Sequence, residues 1–133
     1  MTSPDGFSEG VSRGLAELRS KYGTVIAVAT GDGGARVTVE AVPLPASIRQ
    51  EQSWVGFVLP YNYDDVQVYG HFVPVDLTYA DGTALAGSGL QAGQTWEGRP
   101  AIKISRSSLR WRSGVDSAAL KLQKVIEWLG ARR

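Results

Sequence analysis

Thr24-Val25-Ile26-Ala27-Val28-Ala29, Thr30-Gly31-Asp32-Gly33-Gly34, Ala35-Arg36-Val37-Thr38-Val39-Glu40-Ala41-Val42 is the run that decides the fold. The first six residues are β-branched or small and apolar, as in a buried strand. A glycine-rich loop after such a strand could cradle phosphate, but it would then carry Gly-Lys-Ser/Thr and open a helix. Here a second extended run follows, alternating from Arg36 to Val42 with Val37, Val39 and Ala41 on one face. The glycines therefore read as the turn of a β-hairpin.

Working outward, Val11, Leu15, Leu18 and Tyr22 recur at spacings of four, three and four, which predicts a helix before the hairpin. Ser8 suits its N-cap and Gly23 its stop. Gly10 and Gly14 would each weaken that helix by roughly 1 kcal/mol relative to alanine. After the hairpin, Pro43 and Pro45 break the chain, and Trp54 to Leu59 is a third strand ended by Pro60. Phe72 to Leu77 is a fourth, with Pro74 pointing to an edge or a bulge. Tyr79 to Gly98 reads as a long irregular loop, a kind of segment that often carries function. Ala101 to Ile104 is a short extended piece. A final helix is expected from about Asp116 to Ala131, with Asp116 as cap and Ala118, Leu122, Val125, Ile126 and Leu129 as its apolar face. Residues 1–133 thus form one domain of α+β class, with helices against an antiparallel sheet.

The composition excludes several chemistries. The 133 residues contain no cysteine and one histidine, His71, so thiolate and multi-histidine metal sites and thiol nucleophiles are ruled out. No metal or cofactor is expected. A net charge of +1 gives no overall pull toward nucleic acid or membrane. The start of the chain lacks the basic and apolar regions of a signal peptide, and Val25 to Ala29 is too short to span a bilayer, so a cytoplasmic location is expected. Charge is uneven, however. Arg99, Lys103, Arg106, Arg110 and Arg112 follow one another with no acidic residue between Glu97 and Asp116, flanked by Trp96 and Trp111. Such a segment can be a solvated rim, meet an acidic protein, or bind nucleic acid; the last is the weakest reading. Ser105, Ser107, Ser108 and Ser113 lie within it, but no Gly-x-Ser-x-Gly elbow is present.

Two local patterns give the order of elements a sharper meaning. Leu59-Pro60-Tyr61-Asn62-Tyr63 is similar to the element that follows the third strand of the ubiquitin-conjugating-enzyme superfamily, although Asp64 stands where that family usually has proline. Ile104-Ser105-Arg106, Leu109, Trp111-Arg112, Gly114 and Asp116 resemble the active-site segment of the family's divergent bacterial branch, with Ser107 in place of a histidine. The resemblance spans essentially the whole chain. It implies an N-terminal helix, a four-stranded antiparallel meander, a long active-site loop and a C-terminal helix. It places Ser105 at the position of the catalytic cysteine, while the family's histidine–proline–asparagine tripeptide is not evident.

Two functions follow from the resemblance. In the first, Ser105 carries a ubiquitin-like C-terminus as an oxyester and passes it to a target protein. Arg106 and Arg110 would stabilise negative charge, and Asp116 or His71, or less directly Asp81, would accept a proton. In the second, the chain is an inactive variant that binds a ubiquitin-like protein or its activating enzyme through Pro60, Tyr61, Tyr63, Arg110 and Trp111.

Overall fold

The computed structural model describes residues 5–107 and 110–132. It is an α+β domain with a helix at each end and six strands between: α1 (Glu9–Tyr22), β1 (Val25–Ala29), β2 (Ala35–Pro43), β3 (Gln52–Leu59), β4 (His71–Pro74), β5 (Leu90–Trp96), β6 (Arg99–Ile104) and α2 (Ala118–Ala131). The strands form one antiparallel sheet in the order β1-β2-β3-β4-β6-β5. The expected four-strand meander is therefore its first four members. The correction is the added hairpin β5–β6, which takes up the end of the stretch read as a loop. Its turn is Glu97-Gly98, with positive φ at both residues (48° and 79°), as a two-residue hairpin turn requires.

The first hairpin forms as the sequence requires. Val25 lies opposite Val39 and Ala29 opposite Ala35, and the Thr30 N–H donates to Gly34 O at 3.1 Å. One inward position differs. The β2–β3 register shifts between Val39 and Val42, so Val42 is buried and Ala41 only half-buried. A bulge re-aims the strand by one residue.

Both helices contribute to one core. Val11, Leu15 and Leu18 of α1 and Leu122, Val125 and Leu129 of α2 join Val37, Val39, Val55, Phe57, Val73 and Ile104 of the sheet in a single buried cluster. Ser8 caps α1, and Gly23 closes it by donating to Arg19 O. The helix glycines now have a reason. A Cβ on Gly10 would lie 1.8 Å from Tyr63 O, and one on Gly14 would lie 2.8 Å from the Tyr63 ring. Their propensity cost permits close contact with the chain after β3. α2 begins two residues later than expected, because Ser117, not Asp116, accepts from the N–H of Leu120 as cap.

On the opposite sheet face, Trp96 is 1% exposed. It donates to Thr38 Oγ1 at 2.8 Å, stacks on Phe72 at 4.9 Å, and lies over Gly56, where a Cβ would come within 2.2 Å of its Nε1. Ion pairs Arg36–Glu97 and Arg99–Glu40 clamp the tip of the β5–β6 hairpin over that face.

Candidate functional site

The two sequence patterns, about fifty residues apart, meet as a bracket. The Tyr63 hydroxyl accepts from the Ala118 N–H at 2.8 Å, holding the first residue of α2. Trp111 packs edge-on against the Tyr63 ring (6.4 Å between centroids) and donates from Nε1 to Asp64 O at 2.7 Å. Asp64 Oδ2 accepts from the Gly114 N–H at 2.9 Å, and the Ser113 hydroxyl donates to Asp65 at 2.8 Å. The Gly114 N–H, with help from Ser113, holds the Asp64 carboxyl below the ordinary range. Tyr63 is buried and Trp111 half-buried, so both serve the bracket more than any outer partner. Pro60 is half-buried, whereas Tyr61 is 57% exposed and Arg110 is exposed.

Of the residues expected to carry acyl transfer, Arg106 and Asp116 line one cavity, whereas His71 lies in the core and Ser105 is not among the residues lining it. Ser105 leaves β6 half-buried, and its N–H donates to Gly89 O at 2.8 Å. Among the described residues its hydroxyl has no hydrogen-bonding partner. Arg106 is exposed, with its guanidinium 5.0 Å from the Trp128 ring centre. Asp116 accepts the Arg112 N–H at 2.6 Å, which commits one carboxylate oxygen to its own turn. Asp81 accepts from the N–H and hydroxyl of Thr83 in a local turn. Ser107 accepts from Gln67 Nε2 at 3.3 Å. Ser108 and Leu109 lie outside the described residues.

His71, a proton acceptor on the reading the resemblance implies, is placed as a core side chain. It sits between Phe57 and Ile104 in register, fully buried, with its ring 5.1 Å from that of Phe57. Neither ring nitrogen has a hydrogen-bond partner among the described residues. Burial first, and the nearby Lys121 charge second, hold its pKa down to about 3. It is a neutral core side chain, walled off from solvent. The chain matches no protein-family model, no curated protein and no solved structure.

What does converge is positive charge. A cavity of about 580 Å³ is lined by Arg106, Ser107 and Arg110 from the chain after β6, and by Lys121, Lys124 and Trp128 from α2, with Asp116 and Glu127 at its wall. Lys121 is only 5% exposed and donates to Arg106 O at 2.6 Å. Burial, then the charges of Arg106 and Lys124, lower its pKa. The sequence reading treated α2 by its apolar face alone and missed these lysines. The available signal was the spacing of Lys121, Lys124 and Trp128, three and four apart, which puts them on one side of a helix. The described residues hold no cluster of three or more potential metal ligands, and no described helix is long and apolar enough to cross a membrane.

Proposed function

We propose that this chain is a conjugating-enzyme-like protein of the divergent bacterial kind that binds a ubiquitin-like protein without carrying it covalently. One observation carries the choice over the oxyester reading: the groups that would activate Ser105 are engaged elsewhere. His71 is sealed in the core, and one of the two Asp116 oxygens is committed to the Arg112 backbone N–H. A serine hydroxyl is a weak nucleophile until a base takes its proton. Support for the family reading comes from the element order and from the meeting of the Pro60–Tyr63 and Trp111–Asp116 patterns in one bracket. Tyr61 and Arg110 are the exposed residues of those patterns available to a partner.

The test mixes the protein with a ubiquitin-like protein, an activating enzyme from the same genome, and ATP. The expected result is saturable binding, weakened by Tyr61→Glu or Arg110→Glu, with no covalent product. A band that resists thiol reductant, disappears in mild base and is lost in Ser105→Ala would establish the oxyester instead. Absence of any binding would remove the ubiquitin-like partner.

A further inference from the structure

We propose that the cavity between the chain after β6 and α2 binds a small phosphate- or diphosphate-bearing molecule through Arg106, Arg110, Lys121 and Lys124. The four cations come from two segments that fold together, and all line one recess of about 580 Å³. That volume falls within the range of small-molecule sites, roughly 300–1,000 Å³. Two acids share the wall, four cations against two acids. Asp116 accepts the backbone N–H of Arg112 and Glu127 accepts from Gln123 Nε2 at 3.1 Å, neutral donors that leave both carboxylates charged. Arg106, Arg110 and Lys124 make no salt bridge with any described residue; the pairs that do form, Arg36–Glu97 and Arg99–Glu40, lie on the far side of the sheet.

Crowding like charges around a partly enclosed space costs free energy that a bound anion removes. A net excess of two positive charges matches a phosphate monoester, which carries about −1.5 to −2 at neutral pH, better than a single carboxylate. The Lys121 pKa is lowered by burial first, and by the charges of Arg106 and Lys124 second. A nucleic-acid track fits less well. Of the basic run, Arg99 reaches over Trp54 and Lys103 over Tyr69, so these two leave the cavity and the cations do not form one stripe.

The experiment is calorimetric titration of the full chain with pyrophosphate at low ionic strength, with acetate as the monoanion comparator. Pyrophosphate should saturate one site and acetate should bind at least about tenfold more weakly. The substitutions Arg110→Gln and Lys124→Gln change exposed side chains, and each should lower pyrophosphate affinity about five- to tenfold. Arg36→Gln, on the opposite sheet face, should leave it unchanged. Circular dichroism confirms that each variant is folded. Failure of the wild type to saturate, wild-type affinity in both cavity variants, or an equal loss in Arg36→Gln would overturn the assignment. None of these outcomes depends on whether a ubiquitin-like protein binds.

Discussion

Replacing His71 with leucine should stabilise the protein and remove part of its acid sensitivity. The wild-type imidazole is fully buried between Phe57 and Ile104, with neither nitrogen hydrogen-bonded to a described residue. Leaving a buried polar group unsatisfied costs about 1–3 kcal/mol, and an apolar side chain of similar size avoids that cost. Imperfect repacking returns some of the gain, so a net rise of about 1 kcal/mol at neutral pH is expected. The pH effect is larger. The histidine pKa falls from 6.5 to about 3 on folding, so the unfolded chain takes up a proton first as pH falls. The stability that the neutral imidazole contributes is complete above the unfolded pKa and drains as pH drops toward the folded one. From neutral pH down to about pH 5, some 1.5 units below 6.5, the loss from this residue is about 2 kcal/mol at 1.36 kcal/mol per unit. Urea unfolding of wild type and His71→Leu at both pH values measures it directly, because other titrating groups contribute alike to the two proteins. The variant should gain about 1 kcal/mol at neutral pH and about 3 kcal/mol at pH 5. An advantage that does not grow as pH falls would refute the claim that His71 stays neutral in the folded state.

Gly56→Ala should cost about 2–3 kcal/mol by driving a Cβ into the Trp96 indole; an unchanged melting midpoint and unshifted tryptophan emission would contradict the packing. Tyr63→Phe should cost about 1–2 kcal/mol, because the buried Ala118 N–H loses its acceptor at the start of α2; denaturant unfolding reads this, and a loss below the error of the fit would count against the bracket. Asp64→Asn should destabilise by less than about 1 kcal/mol, since the carboxylate is largely in solvent. With the Asp64 pKa lowered in the folded state, its contribution is present above the ordinary carboxylate pKa of 3.8 and is lost as pH falls through the lower folded value. The difference between wild type and Asp64→Asn should therefore shrink in acid, and a difference that grows there would reverse the sign.

The parts of the fold legible in the sequence are those whose signal is local. α1 announces itself through Val11, Leu15 and Leu18 on one stripe and Ser8 at the cap, and both features are in the structure. β5 was missed because Leu90-Gln91-Ala92-Gly93-Gln94-Thr95-Trp96 is mostly exposed and has no alternation to read. Its order comes from pairing with β6, an interaction between segments that periodicity cannot show. The burial of His71 was available in principle. It stands two residues before Val73 and therefore shares its face, and Val73 is in the core. The cavity was half legible. Arg106 and Arg110 were visible as a basic run, but Lys121 and Lys124 join them only because α2 returns across the end of β6. Asp116 was read as a cap from its place before an apolar helix, yet Ser117 does that work. The two neighbours are nearly equivalent candidates by residue type.

On the proposed reading, in which Ser105 stands where the family carries its cysteine, the absence of a thiol has a physical consequence. A positive environment stabilises an alkoxide on Ser105, but it stabilises an anion arriving from solution in the same way. What separates a catalytic site from a binding site here is a proton acceptor, because each tenfold of rate requires about 1.4 kcal/mol and arginine cannot serve as a base at ordinary pH. Among the acceptors at or near the two patterns, Asp64 accepts from Gly114 and Ser113, one Asp116 oxygen accepts the Arg112 backbone N–H, and His71 is buried in the core. The bracket that joins the two patterns thus occupies Asp64, whereas Asp116 has one oxygen held by its own turn. Guanidinium and ammonium groups face the cavity. With four cations against two acids at the cavity wall and Ser105 not among the residues lining it, the arrangement favours holding an anion over breaking a bond at that serine.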